Sequence, residues 1–113
     1  MGTQADSPVV HLDDKSFHQA IKGADVPVLV DFWAPWCPPC RAIAPTIDRL
    51  ASDVGSSAIV AKLDVDQAPN AAASHRVQSI PTLIIFKGGR EVDRLVGVQS
   101  GETLKARLAR VAG

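Results

Sequence analysis

The stretch "PVLVDFW" at residues 27–33 is apolar almost without interruption, and it limits the possible architecture more than any other segment. A strand with one face in water alternates apolar and polar residues, whereas an unbroken apolar run needs cover on both faces. A second run of this kind, "AIVAKLDVD", occupies residues 58–66. Segments of helical period lie before, between and after the two. "VVHL" (9–12) reads as a short strand, after which Asp13 or Asp14 is expected to cap a helix reaching about Ala24. "RAIAPTIDRLASDV" (41–54) sets Ile43, Ile47, Leu50 and Val54 on one face, with Pro45 expected to kink the helix. "APNAAASHRV" (68–77) is a short helix of weak amphipathicity.

"PTLIIFK" (81–87), the turn "GG" and "REVDRLVG" (90–97) predict a hairpin, and Ser100 caps a last helix that turns Leu104, Leu108 and Val111 inward. The order β-α-β-α-β-α-β-β-α gives an α/β fold: a mixed central sheet with a parallel core, an antiparallel C-terminal hairpin and helices on both faces. Residues 1–8 look like a flexible lead-in, so the domain is expected over 9–113. A chain of 113 residues suits one hydrophobic core.

Twelve basic residues face twelve acidic ones, so no basic field favours nucleic acid or an anionic membrane. No apolar run approaches the ~20 residues that span a bilayer. The opening "MGTQADSPVV" has no cationic region leading into an apolar one, and Asp6 stands where myristoylation needs Ser or Thr. The expected compartment is therefore the cytoplasm, where a close cysteine pair serves catalysis or metal binding more often than structure.

That pair is "WCPPC" (36–40). Structural zinc needs four ligands, and His11, His18 and His75 lack the paired spacing to complete a site, so no metal is expected. Haem attachment requires His after the second cysteine, where Arg41 stands. A purely structural bridge would close too short a loop to remove much chain entropy. Thiol–disulfide exchange fits best. Cys37 follows a strand and opens a helix, whose first turn offers unpaired N–H groups and a positive dipole end that favour a thiolate. Cys40, one turn on, is placed to resolve the mixed disulfide that Cys37 forms.

With these residues in view, "VDFWAPWCPPCRAIAP" resembles the active-site segment of the thioredoxin family, and "IPTLIIFKGG" followed by "VG" resembles its second signature. The likeness spans roughly residues 9–112. It implies the thioredoxin fold and a protein disulfide reductase, or electron carrier, that needs no cofactor beyond the Cys37–Cys40 disulfide. It also implies disulfide-containing protein substrates, a flavin-dependent thioredoxin reductase as partner and a monomeric domain. Pro38 departs from the family's usual glycine, and the expected consequence is a modest shift of redox potential toward the oxidising side. The alternative is a thioredoxin-fold thiol oxidant or disulfide isomerase. A non-enzymatic module is disfavoured by the joint presence of both cysteines, Asp31 and Pro81.

Asp31 interrupts the apolar run. Either it faces a hydrated pocket, or desolvation holds it protonated so that it relays protons for Cys40, as its family equivalent does. Lys62 is a second charge in an apolar strand, either a partner for Asp31 or a side chain reaching solvent at the strand end. Pro38 and Pro39 should occupy the first helical turn, where their missing N–H groups have no carbonyl partner anyway. The resemblance implies a cis bond before Pro81, packed on the active-site disulfide, with the Ile80 backbone left to pair with substrate. Trp33 is expected in the core. Trp36, Ile80, Gly97 and Val98 are expected to form a small apolar docking patch around the sulfur, although Gly97 could be a mere strand terminator.

Overall fold

The computed structural model describes residues 8–112. Apart from exposed Pro8, the lead-in expected at residues 1–8 lies outside the described residues. The elements are β1 (Val10–Leu12), α1 (Phe17–Gly23), β2 (Val28–Trp33), α2 (Pro38–Val54), β3 (Ile59–Asp64), α3 (Pro69–Ser74), β4 (Thr82–Lys87), β5 (Arg90–Val96) and α4 (Gly101–Ala112). They build one five-stranded sheet in the order β1-β3-β2-β4-β5. β1 and β2 run parallel to β3, β4 runs antiparallel to β2, and β5 pairs antiparallel with β4. The two apolar runs thus become β2 and β3, and β2 takes the central place.

Both faces of β2 are covered, as its composition requires. Leu29 packs with Ile43, Ile47 and Leu50 of α2 and with Leu104 and Leu108 of α4. Val28, Val30 and Phe32 pack on the other face with Phe17 and Ile21 of α1 and with Ala71 and Ala72 of α3. That second layer also contains an aromatic cluster. Phe17 meets Phe32, Phe86 and His75 edge to face, with ring centroids 6.2, 5.7 and 5.3 Å apart.

Local chemistry accounts for the element ends. The hairpin turn has Gly88 and Gly89 at φ +61° and +81°, both in the left-handed region that glycine tolerates. Ser100 caps α4 as expected, its Oγ accepting the Thr103 N–H at 3.1 Å. Pro45 lies on the exposed side of α2, and the helix runs unbroken past it to Val54.

The start of α1 differs from expectation. The regular helix begins at Phe17, one turn later, while Asp13 acts as a cap as expected: its Oδ1 accepts the N–H groups of Lys15 and Ser16, and its carbonyl accepts the Phe17 N–H at 3.0 Å. Asp14 caps a different helix altogether. Its carboxylate accepts the N–H groups of Asn70 and Ala71 at 3.2 and 2.8 Å, at the first turn of α3.

Candidate active site

β2 ends at Trp33, and the chain crosses Ala34–Cys37 before α2 opens with Pro38 and Pro39 in its first two positions. Cys37 is the N-cap residue of that helix. Its Sγ accepts the Cys40 N–H at 3.2 Å, the geometry in which a capping atom satisfies an otherwise orphaned donor. Both prolines are exposed and lack an N–H, so the Cys40 amide is the first donor the helix can offer. The Arg41 side chain closes the loop from outside, donating from Nη1 to the Pro35 carbonyl at 3.1 Å. Cys37 and Cys40 form a disulfide with Cα atoms 5.2 Å apart.

Both cysteines are buried, Cys37 at 3% exposure and Cys40 at 1%. Ala34 completes this small cluster, and Trp33, Val65 and Ile80 pack around it. Trp33 is half-buried rather than core. Its ring takes up the flank of the cysteines on one side and Lys62 on another.

Asp31 lies two residues before Trp33 on the sheet face that α2 covers. It is fully buried, and neither carboxylate oxygen has a hydrogen-bond partner. Burial pushes its pKa up to about 7, against the pull of the Lys62 charge. Lys62 sits opposite Asp31 in the β2–β3 register, yet it does not hydrogen-bond the carboxyl. Its ammonium instead lies 4.2 Å from the Trp33 ring centroid, a cation–π contact that satisfies a nearly buried charge. Lys62 is thus a partner of Asp31 through its charge and not through a hydrogen bond.

The second signature converges on the same place. The Ile80–Pro81 bond is cis, and the Ile80 carbonyl oxygen lies 3.8 Å from Cys37 Sγ. The Pro81 carbonyl accepts the Gly97 N–H at 2.8 Å, which draws the end of β5 to the site. Gly97 has φ +91° with open space where a Cβ would stand, so backbone conformation selects glycine there. Val98 next to it is 56% exposed and Trp36 is 63% exposed. Ile80 and, through Pro81, Gly97 are thus brought to the site, with Trp36 and Val98 next to Cys37 and Gly97 in the chain. The Trp36 Nε1–H donates to Asp66 Oδ2 at 2.6 Å.

Asp66 and Arg41 escaped the sequence reading. Asp66 is an ordinary surface charge in a distant segment, and Arg41, although it directly follows Cys40, gives no sign in the sequence that it folds back to the Pro35 carbonyl. Among the described residues, no group of three or more His, Cys, Asp or Glu side chains converges as a metal site.

The thioredoxin family model matches residues 8–110. The chain is 52% identical over 100 residues to a thioredoxin of Alicyclobacillus acidocaldarius, covering 88% of this chain and 94% of that one. It is 45% identical over 102 residues to thioredoxin 1 of a Nostoc species, covering 90% and 95%. It is also 43% identical over 108 residues to the chloroplastic thioredoxin M4 of Arabidopsis thaliana, covering 96% of this chain and 56% of that one. With a cysteine pair at the start of α2, a cis proline beside it and this likeness over nearly its whole length, the chain belongs to the thioredoxin family: it is a thiol–disulfide oxidoreductase that reduces disulfides by dithiol–disulfide exchange at Cys37 and Cys40.

Proposed function

We propose that the protein is a monomeric electron carrier that reduces protein disulfides in the cytoplasm and is restored by a flavin-dependent reductase. One observation carries the assignment of roles: Cys37 Sγ is the capping atom of α2, facing the Cys40 N–H at 3.2 Å. Negative charge on that sulfur is stabilised by the amide and by the helix terminus, so Cys37 is the nucleophile. Its thiolate attacks one sulfur of the substrate disulfide, and the other substrate sulfur leaves as a thiolate and takes up a proton. Cys40 then loses its proton to Asp31 and attacks the Cys37 sulfur, expelling the second substrate thiolate. A carboxyl with its pKa near 7 suits that transfer at neutral pH.

The two sulfurs carry both electrons, so no cofactor is needed. Pro38, Pro39, Lys62 and Pro81 tune the site, while Trp36, Ile80, Gly97 and Val98 receive the substrate chain. The cytoplasm suits a reductant because thiols are kept reduced there.

The test is a titration of the Cys37–Cys40 pair against glutathione buffers, combined with alkylation of the reduced protein near neutral pH. A potential more reducing than the glutathione couple, and modification of Cys37 first, are expected. A pair that stays reduced throughout the buffer series would turn the reading toward an oxidant or isomerase. First labelling at Cys40 would reverse the roles of the two cysteines.

A further inference from the structure

The segment between α3 and β4, residues 75–81, carries the Ile80 backbone to within 3.8 Å of the Cys37 sulfur. What holds that segment in place is written mostly in β5. At its far end the Gly97 N–H binds the Pro81 carbonyl. At its near end α3 stops in an unusual way. Arg76 has φ +54°, a left-handed conformation, and it is the one non-glycine residue in that region among the described residues. The Arg76 and Val77 N–H groups turn back to the Ala73 and Ala72 carbonyls, both at 3.0 Å, which closes the helix in the manner normally served by glycine. A side chain in that conformation is disfavoured, so something must hold it.

Arg94 of β5 supplies that hold. Its Nη2 donates to the His75 carbonyl at 2.6 Å, and its Nη1 lies 3.5 Å from the Arg76 carbonyl. The same guanidinium is fixed from behind by Glu91, which accepts from Nε and Nη2 at 2.7 Å each. A planar fork gripped by a carboxylate on one edge presents its other donors in a set direction. Arg94 therefore caps the exposed carbonyls of a strained helix end, three residues from the glycine that anchors the opposite end of the segment.

We propose that Arg94, oriented by Glu91, is a positioning residue for disulfide exchange: it holds residues 75–81 so that the Ile80 backbone receives an extended substrate chain beside Cys37. This rests on the docking role given to Ile80 above. The left-handed Arg76 is what calls for the clamp, because a glycine there would need none.

The probe is a peptide with an intramolecular disulfide and extended flanks, compared with the same peptide N-methylated beside its cysteine so that it cannot pair with a backbone. The wild-type protein is expected to prefer the unmethylated peptide by about tenfold in kcat/KM, and Arg94→Ala to lose most of that preference through KM. The double variant Arg94→Ala/Arg76→Gly should regain it, since glycine adopts the left-handed conformation unaided. A merely structural role for Arg94 would lower both peptides' rates together and leave their ratio intact.

If the wild type reduces both peptides equally, the docking role of Ile80 falls and the proposal with it. If the wild type discriminates and Arg94→Ala discriminates as well, only the role of Arg94 falls. Should Arg94→Ala not fold, Glu91→Gln, which loosens the guanidinium without removing it, is expected to show an intermediate ratio. A wild-type ratio in that variant would overturn the proposal.

Discussion

Replacing Asp31 by Asn isolates the energetic consequence of burying a carboxyl in the central strand. The two side chains have nearly the same size and shape, so the change opens no cavity. In the folded protein the carboxyl keeps its proton up to about pH 7, whereas its ordinary value is 3.8. Between those values the folded state binds more protons than the unfolded chain, so the group lowers stability as pH rises. A gap of about three pH units corresponds to a destabilisation on the order of 4 kcal/mol, absent below about pH 4 and fully developed above pH 7. Near pH 5.5 it is roughly half that.

The substituted amide cannot ionise. At pH 4 both proteins bury a neutral polar group without a partner, and their stabilities should nearly match. At pH 8 the variant should be the more stable by several kcal/mol. Urea unfolding of the oxidised proteins at pH 4, 5.5 and 8 measures the difference. A gap that stays constant over that range, or narrows toward pH 8, would refute the argument that Asp31 is destabilised by its own charge. The same variant should reduce disulfides more slowly, because Cys40 loses its proton acceptor.

Pro38→Gly frees the loop that aims the Cys40 N–H at Cys37, weakening the hold on the thiolate. The variant's potential should fall by roughly 20 mV, equivalent to about 1 kcal/mol for a two-electron couple. Equilibration with glutathione measures it, and a clearly more oxidising variant would show that the backbone N–H gained with the glycine outweighs the lost stiffness. Asp66→Ala releases the Trp36 indole, and the KM for a protein disulfide should rise about threefold, the loss of one partly exposed hydrogen bond. Steady-state kinetics giving the wild-type KM would mean that Trp36 needs no anchor. Ile47 is fully buried between α2 and the sheet, so Ile47→Ala should lower stability by about 3 kcal/mol in guanidinium unfolding. A loss under about 1 kcal/mol would mean that the neighbours close the gap.

The sequence disclosed whatever depends on local pattern. Two unbroken apolar runs required strands covered on both sides, Gly88–Gly89 required a tight hairpin, and a cysteine pair after the first run marked the helix start. Contacts between distant side chains left no such trace. Asp14 reads as the cap of the helix that follows it, but its acceptors are engaged by amides 56 and 57 residues away. Trp36 and Asp66 are 30 residues apart, and Arg94 reaches back 18 and 19 residues to the end of α3. Lys62 and Asp31 looked like natural partners by charge, and their strands do align them. The aromatic face of Trp33 nevertheless claims the ammonium, a choice set by side-chain reach rather than by sequence.

The central place of β2 also bears on how the site behaves in time. With β3 on one side and β4 on the other, its backbone is reached by exchange-competent solvent only when most of the sheet opens. The amides of Leu29 to Phe32 should be among the slowest to exchange with deuterium, while those of β1 and β5 at the edges open earlier. The reactive sulfurs thus follow directly on the strand expected to open last. Fraying at either edge leaves their spacing untouched, and each redox cycle begins from the same geometry.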